Sequence, residues 1–383
     1  MTASVPSGER PILLAAGGTG GHVFPAESLA EELWHRGHAL VLVTDRRGIT
    51  WHGRLGSLTA HAVSAGGLAG HGPVEMIKNA VRLAWGVGEA LRLIRRLRPA
   101  VVVGFGSYAS VPPMVAAVLA GYPTVVHEQN AVLGRANRLL APWVSRMAVS
   151  FAGTGHARGG DTLHIGMPVR PAVQAVREVS YRPPGRGDPV RILVIGGSQG
   201  AHIFGEVVPA ALNRLPVTLQ TRLRVSQQVR AEDRVIVAAA YDGSGIAVEL
   251  ETFFDDMPAR LAETHLVIAR AGASTVAELT VAGRPAILVP YPHAIDDHQT
   301  ANAHAVAETG GAWLMQQEIF TPETLAARLQ TLFDWPTLLA KTAACAGRIA
   351  LPDATQRLAD TIEALMPEQG PHDGVGGAKE EAA

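Results

Sequence analysis

The fold is decided by Ile12-Leu13-Leu14-Ala15-Ala16-Gly17-Gly18-Thr19-Gly20-Gly21-His22, an apolar run that ends in a glycine cluster. The same order of apolar run, glycines and helix-like segment recurs from Val101 to Tyr108 and from Ile192 to Gly200. Short apolar strands that alternate with helical patterns indicate parallel sheets with crossover helices. The sequence therefore predicts an α/β fold.

The spacing of these clusters predicts two domains. The chain has 383 residues, of which 47% are apolar, enough for two hydrophobic cores. The first and third glycine clusters each open one half of the chain, and a loop-like segment with Pro183-Pro184-Gly185 lies before the third. We expect two Rossmann-like, doubly wound domains that face each other across a cleft.

Composition excludes several classes of protein. The net charge of −1 gives no indication of nucleic-acid binding, and the single cysteine, Cys345, excludes an internal disulfide framework. The longest apolar stretch, Val111 to Val126, contains three prolines, and the apolar run after Arg10 is shorter than a signal-peptide core. We expect a cytoplasmic protein that is neither secreted nor membrane-spanning.

The glycine clusters predict phosphate binding. Backbone N–H groups at a helix N-terminus form an anion site, which glycine lets a phosphate approach closely. The P-loop lysine is missing, and the dinucleotide pattern that starts at Gly18-Thr19-Gly20 has Val23 at its third glycine position. Asp45 ends the next strand, so an NAD-dependent oxidoreductase stays an alternative. No Asp-x-Asp sequence is present, and we expect no metal or other cofactor.

Eight motifs, in order along residues 11–365, resemble the lipid II-forming N-acetylglucosaminyltransferase family of bacterial cell-wall synthesis. They are Gly17-Gly18-Thr19-Gly20-Gly21-His22-Val23-Phe24-Pro25-Ala26, Gly106-Ser107-Tyr108-Ala109-Ser110, His127-Glu128-Gln129-Asn130, Gly166-Met167-Pro168-Val169-Arg170, Gly196-Gly197-Ser198-Gln199-Gly200-Ala201, Phe253-Phe254-Asp255-Asp256-Met257, Arg270-Ala271-Gly272-Ala273-Ser274-Thr275-Val276-Ala277-Glu278 and Asp297-His298-Gln299-Thr300-Ala301-Asn302-Ala303.

The resemblance implies the two-domain glycosyltransferase fold called GT-B and one reaction. N-acetylglucosamine would pass from UDP-N-acetylglucosamine to the muramoyl 4-hydroxyl of lipid I, with inversion, giving lipid II and UDP. The enzyme would work as a peripheral protein on the cytoplasmic face of the inner membrane. Its expected partners are UDP-N-acetylglucosamine, lipid I, the anionic membrane surface and, as an option left open, other cell-wall synthesis proteins. Alternatives are another UDP-sugar transferase of this fold, a UDP-sugar 2-epimerase, and a non-catalytic nucleotide-binding protein.

The resemblance also implies roles for individual residues. His22 and Glu128 are the two candidates for the base that takes the acceptor proton. Gly18 and Tyr108 are expected on the acceptor side. The expected donor site consists of Thr19, Gly20, Gly21, Asn130, Arg170, Ser198, Phe253, Phe254, Ala273, Ser274, Thr275, Glu278 and Gln299. Within it, Glu278 would bind ribose and Arg170 the diphosphate, while His298 stays open. Phe253 would stack on uracil and the Phe254 backbone would contact the edge of the base, with one of the two rings expected in the core.

A helix predicted from Ile77 to Leu97 indicates membrane contact. Its predicted core face consists of Ile77, Ala80, Val81, Ala84, Val87, Leu91 and Ile94, and its other side carries Lys78, Arg82, Trp85, Arg92, Leu93 and Arg96. Basic residues together with exposed Trp and Leu suit an anionic membrane surface, and an ordinary solvated face is the alternative.

The expected domain limits follow from the same reasoning. The first domain comprises residues 9–169 on the acceptor and membrane side and is joined by a C-terminal helix at about 350–366. The UDP-sugar-binding domain comprises residues 170–349. Residues 367–383, rich in Gly, Glu and Ala, form a tail that we expect to be disordered.

Overall fold

The structure is a computed structural model that describes residues 10–17, 20–45, 53–66, 73–154, 161–197 and 200–367. Three predicted site residues, Gly18, Thr19 and Ser198, lie outside the described residues, as does the tail from 368 to 383.

The first half of the chain forms a seven-stranded parallel sheet in the order β3-β2-β1-β4-β5-β6-β7. Its strands are β1 (Ile12–Ala15), β2 (Leu40–Asp45), β3 (Thr59–Val63), β4 (Val101–Gly104), β5 (Thr124–Glu128), β6 (Arg146–Val149) and β7 (Asp161–His164). The helices between them are α1 (Gly20–His35), α2 (Gly53–Ser57), α3 (Pro73–Leu97), α4 (Ser107–Leu119) and α5 (Arg135–Leu140). The central strands β1, β2, β4 and β5 are buried throughout, as expected for a parallel sheet covered on both faces.

The second half forms a six-stranded parallel sheet in the order β10-β9-β8-β11-β12-β13. Its strands are β8 (Val190–Ile195), β9 (Leu223–Gln228), β10 (Ala247–Glu251), β11 (Leu266–Ala269), β12 (Ala286–Leu288) and β13 (Trp313–Leu314). The helices are α6 (Pro171–Gln174), α7 (His202–Leu212), α8 (Val217–Gln220), α9 (Arg234–Tyr241), α10 (Met257–Glu263), α11 (Ala273–Val281), α12 (His298–Ala307), α13 (Pro322–Asp334), α14 (Pro336–Ile349) and α15 (Ala354–Glu363).

Both sheets reverse their strand order at one point. In the first sheet the chain passes from β1 outward to β3 and resumes on the other side of β1 with β4; β8 and β11 are the corresponding pair in the second sheet. Ligands of such sheets bind at the carboxyl ends of the strands beside this switch point. The predicted fold class of two doubly wound α/β domains is confirmed.

The last helix, α15, packs on the first domain. Leu358 and Ile362 belong to the same buried cluster as Ile12 of β1. At the end of α1, Arg36 forms ion pairs of 2.6 and 2.7 Å with Asp360 and Glu363. The C-terminal helix therefore supplies part of the first hydrophobic core, while the exact domain limits stay a prediction.

Helix α3 differs in part from its predicted orientation. Trp85 is 63% exposed, as expected, but Leu93 is only 9% exposed, so its predicted place on the outer face is wrong. Ile77 and Val81 are 64% and 63% exposed although their spacing predicted a core face. Among the positions from Glu75 onward, the buried ones begin at Gly86, because residues of the second half such as Ala90 and Ile94 pack on the first sheet and on α4. Among the described residues, no helix has the length and hydropathy to cross a membrane.

Candidate active site

The candidate base His22 lies in the first turns of α1, beside the carboxyl end of β4. Its Nδ1 atom is 2.8 Å from the carbonyl oxygen of Phe105. A carbonyl oxygen can only accept, so Nδ1 carries the hydrogen and Nε2 keeps its lone pair. Loss of water around the ring lowers the pKa of His22 below its ordinary value of 6.5, although Phe105 and the charge of Glu128 act in the opposite direction. At neutral pH the ring is an uncharged base.

The ring fits closely against the loop after β4. Gly106 has a φ of +78°, in the left-handed region that favours glycine. A Cβ atom at this position would lie 3.3 Å from Cε1 of His22 and from the amide nitrogen of Asn137. Gly106 therefore gives the imidazole its room.

The other candidate base, Glu128, is buried and fully occupied. One carboxylate oxygen accepts from the backbone and side-chain nitrogens of Asn130 at 3.0 and 3.3 Å. The other accepts from the backbone of Gly134 at 2.9 Å and from Asn137 at 2.8 Å. Because four N–H donors already bind this carboxylate, Glu128 stabilises the loop that follows it, and the geometry favours His22 as the base. Which of the two is the base stays a prediction.

Asn302 of α12 connects the two domains at the cleft. Its Oδ1 accepts from the backbone N–H of Ala131 at 2.8 Å. Its amide nitrogen donates to Oδ1 of Asn130 and to the carbonyl of Ala271, both at 3.1 Å. The predicted sugar-binding residue Asn130 is thus fixed from both sides of the cleft. Asn302 is buried, and its residue type alone gave no reason to include it among the predicted site residues.

Arg170 and Glu278, two residues predicted to bind the sugar donor, form an ion pair with each other in this structure. Nε and Nη2 of Arg170 donate to one carboxylate oxygen of Glu278 at 3.1 and 2.9 Å. Burial raises the pKa of Glu278, while the guanidinium acts against that shift. The Arg170 guanidinium also lies 5.2 Å from the ring centre of Phe24 on α1. The two side chains expected to bind ribose and diphosphate are therefore in direct contact with each other between the domains.

The start of α11 is a candidate anion site. Ala273, Ser274 and Thr275 form its first turn, directly after β11 at the switch point of the second sheet. The Ser274 hydroxyl is buried and has no hydrogen-bond partner within the part of the chain that the structure describes. The N–H groups of a first helical turn have no partner within the helix, and together with the helix dipole and the Ser274 hydroxyl they suit a phosphate.

The two adjacent phenylalanines have different surroundings. Phe253 is 63% exposed, whereas Phe254 is 4% exposed and lies under the Arg260 guanidinium, 4.1 Å from its ring centre. Phe254 is therefore a core residue, and Phe253 is the ring that is free to stack on a base.

Gln299 lies in the first turn of α12 with its amide oriented. Its Oε1 accepts from the backbone N–H groups of Ala271 and Tyr291 at 3.2 and 2.9 Å, which leaves its NH₂ group for a ligand. His298 is half-buried, and its Nδ1 donates to the Ile295 carbonyl at 2.7 Å. The predicted acceptor-side residue Tyr108 is half-buried in the first turn of α4. Gly20 and Gly21, which were predicted for the donor site, begin α1.

Family models match both domains. The model described as "Glycosyltransferase family 28 N-terminal domain" matches residues 12–149, and "Glycosyltransferase family 28 C-terminal domain" matches residues 191–361. The chain belongs to glycosyltransferase family 28. Membership confirms the enzyme class expected from the motifs.

Two family 28 relatives match this chain over nearly its whole length. Both are named UDP-N-acetylglucosamine--N-acetylmuramyl-(pentapeptide) pyrophosphoryl-undecaprenol N-acetylglucosamine transferase. The one from Paramagnetospirillum magneticum is 56% identical over 367 residues, which cover 95% of this chain and 99% of the relative. The one from Rhodospirillum rubrum is 55% identical over 360 residues, covering 94% and 93%.

A solved structure of the family confirms the GT-B fold. The MurG of Acinetobacter baumannii superposes with a TM-score of 0.76 at 30% identity, covering 93% of this chain and 99% of that one. The resemblance stated from eight sequence motifs is therefore confirmed across both domains.

Proposed function

We propose that this family 28 glycosyltransferase transfers N-acetylglucosamine from UDP-N-acetylglucosamine to the muramoyl 4-hydroxyl of lipid I, forming lipid II and UDP. The observation that carries the proposal is 56% identity over 95% of the chain with a transferase named for this donor and acceptor. The site geometry supplies the chemistry that such a transfer requires.

The transfer is a displacement at the anomeric carbon. Nε2 of His22 takes the proton of the acceptor hydroxyl, whose oxygen attacks the anomeric carbon from the face opposite the diphosphate. The bond between that carbon and the phosphate oxygen breaks, and its electron pair leaves with UDP. The first turn of α11 and the Arg170 guanidinium stabilise the departing charge, so the reaction as proposed uses no cofactor. Independence from a metal stays a prediction.

Recognition of the donor is divided among four groups. Phe253 stacks on uracil, the Glu278 carboxylate accepts from the ribose hydroxyls, and Asn130 and Gln299 bind hydroxyls of the sugar. Before the donor arrives, Glu278 and Arg170 neutralise each other across 2.9 Å, so neither charge is left without a partner between the domains. Donor binding exchanges this ion pair for contacts to ribose and phosphate.

The first half of α3 suits contact with an anionic membrane surface. Its exposed apolar side chains are Met76, Ile77, Val81 and Trp85, and the basic side chains Lys78 and Arg82 lie among them on the exposed surface. Apolar side chains enter the headgroup region while lysine and arginine bind anionic lipid. We place the enzyme as a peripheral protein on the cytoplasmic face of the inner membrane, where its lipid acceptor is embedded. Binding to other cell-wall synthesis proteins stays a prediction.

Product analysis tests the function. We expect the purified protein, given UDP-N-acetylglucosamine and a short-chain lipid I analogue, to release UDP and form the disaccharide with a β linkage. The donor incubated alone should stay unchanged. Conversion of the donor alone to its 2-epimer would establish the epimerase alternative, and transfer to a different hydroxyl acceptor in preference to lipid I would establish another transferase of the same fold.

A further inference from the structure

The buried carboxamide of Gln129 lies directly behind His22. Its Oε1 is 3.2 Å from Nδ1 of His22, on the side of the ring away from the free Nε2. Its Nε2 lies 2.9 Å from the carbonyl of Phe105 and 3.2 Å from the carbonyl of His127. The side chain thus contacts the candidate base on one side and two backbone carbonyls on the other.

These carbonyls determine which way the amide of Gln129 points. If oxygen and nitrogen were exchanged, Oε1 would lie 2.9 Å from the Phe105 oxygen, and two acceptors would face each other in a buried place. The NH₂ group must therefore face the carbonyls, and Oε1 must face His22. An oxygen in this position accepts the Nδ1 hydrogen of the imidazole and rejects the other tautomer.

A second histidine extends this arrangement. Nδ1 of His127 is 3.2 Å from the NH₂ group of Gln129, so it accepts, and its Nε2 donates to the Gly166 carbonyl at 3.2 Å. Burial lowers the pKa of His127 to about 4, so the ring is neutral. Hydrogen bonds therefore run in one direction from the Nδ1–H of His22 to Gln129, while His127 receives from Gln129 and donates to Gly166.

We propose that Gln129 is a positioning residue that holds His22 in the Nδ1–H tautomer and aims its Nε2 lone pair at the acceptor hydroxyl. Gln129 has the place that a carboxylate takes beside a catalytic histidine in hydrolase triads, but it is neutral. When His22 takes the proton, Oε1 becomes the acceptor of a charge-assisted bond and stabilises the imidazolium. The inference rests on the proposed function, because it gives a role to the neighbour of the proposed base.

Other charged and titratable groups act on the same ring. The carboxylate of Glu128 favours the protonated form of His22, while His298 acts against it. Gln129 adds no charge to this balance. Its hydrogen bond to Nδ1 acts in the same direction as Glu128 and raises the pKa of His22, which burial lowers.

The test compares three variants by the tautomer of His22 and by turnover. Gln129→Met keeps the length of the side chain and removes both hydrogen-bonding groups. Gln129→Glu keeps an acceptor oxygen toward His22, and as the protonated acid it donates its O–H to the Phe105 carbonyl in place of the NH₂ group. Gln227→Met is a matched control, since Gln227 is also a buried amide that donates to a backbone carbonyl, that of Phe204 in the other domain. The tautomer is read from the ring nitrogen shifts of ¹⁵N-histidine-labelled protein, with the His22 signal assigned by its absence from His22→Ala.

We expect Gln129→Met to lower kcat about 10- to 150-fold, the effect of losing one hydrogen bond to a charged group, with donor KM and UDP affinity unchanged. The His22 signal should change from pure Nδ1–H to a mixture of tautomers. Gln129→Glu should restore the tautomer and most of the turnover, and Gln227→Met should alter neither. Combined with His22→Ala, Gln129→Met should add no further loss, because it acts only through that ring.

Two results would overturn the inference. One is a pure Nδ1–H tautomer with normal kcat in Gln129→Met, since Phe105 alone would then hold the ring. The other is an equal loss of kcat with and without His22, which would show that Gln129 acts by another route. If His22→Ala itself keeps full turnover, the proposed base is wrong, and the nitrogen shifts still decide separately whether Gln129 holds the ring.

Discussion

Asn302→Asp separates the role of the domain contact from the role of the catalytic groups. In the structure Asn302 accepts one hydrogen bond from the first domain through Oδ1 and donates two through its NH₂ group, to Asn130 and Ala271. Aspartate has the same shape and keeps the acceptor, but it places an oxygen where the NH₂ group was. Two donated bonds are lost, and two oxygens then face the new carboxylate.

The size of the effect follows from the one lost bond that crosses the cleft, because Ala271 lies in the same domain as Asn302. A neutral hydrogen bond contributes about 0.5–1.5 kcal/mol, or roughly 2- to 13-fold in an equilibrium constant. The bond from Asn302 to Asn130 exists only while the two domains are this close, as does the one that Ala131 donates. Donor binding requires the same closeness, because Asn130 is on one side of the cleft and Gln299 and Glu278 are on the other. We therefore expect donor KM to rise by this factor.

The assay measures donor KM and kcat, together with the radius of gyration by small-angle X-ray scattering with and without UDP. Asn213→Asp is the matched control: Asn213 also donates its amide to a carbonyl, that of Ala240 at 2.8 Å, but within the second domain. We expect a larger radius and a raised donor KM for the Asn302 variant only. A donor KM within twofold of the parent, with unchanged scattering, would refute the reasoning.

Three further predictions concern the base, the ribose ligand and the membrane surface. Because burial lowers the pKa of His22 below 6.5, we expect kcat/KM to decline with falling pH only below about 6.5, where the base becomes protonated. His22→Ala should remove this acid-side decline and lower kcat by about 10²–10⁴. Glu278→Ala should raise donor KM about 10- to 150-fold with a smaller effect on kcat; an unchanged donor KM in both this variant and Glu278→Gln would remove the ribose assignment. Val81→Ser combined with Trp85→Ser should weaken binding to vesicles that contain anionic lipid, while turnover of a water-soluble acceptor persists. Ile236→Ser, on the exposed face of α9, is the control. Undiminished vesicle binding in the double variant would assign lipid contact to another surface.

The fold could be predicted because its determinants are local. The apolar run Ile12–Ala16 and the glycines after it indicate a buried parallel strand and a tight turn into a helix, whatever the rest of the chain does. The different roles of Phe253 and Phe254 could be predicted from the family motif but not from residue type, because adjacent residues point to opposite sides and the sequence does not say which side is the core. The structure decides it by placing Arg260 over Phe254.

The rest depends on contacts between distant parts of the chain. The spacing of apolar residues in α3 predicts one apolar face, but it does not show which part of the helix packs against another element. For this reason Leu93, predicted on the outer face, is buried, and Val81, predicted on the core face, is exposed. The pairing of Arg170 with Glu278 joins positions 108 residues apart. The residue type of Asn302 does not predict its role, because its hydrogen bonds to Asn130 and Ala131 form only where the two domains meet.

The return of α15 to the first domain has a consequence for synthesis on the ribosome. The core that contains Ile12 and Ile165 also contains Leu358 and Ile362. Roughly 190 residues separate Ile165 from Leu358, and translation of that stretch takes roughly 10–40 s at 5–20 residues per second. Throughout this interval the nascent first domain presents uncovered apolar side chains of α1 to the cytosol and to chaperones, while the second domain is made and can fold beside it. Emergence of α15, rather than emergence of residue 165 from the exit tunnel, is the event that allows the first domain to close its core.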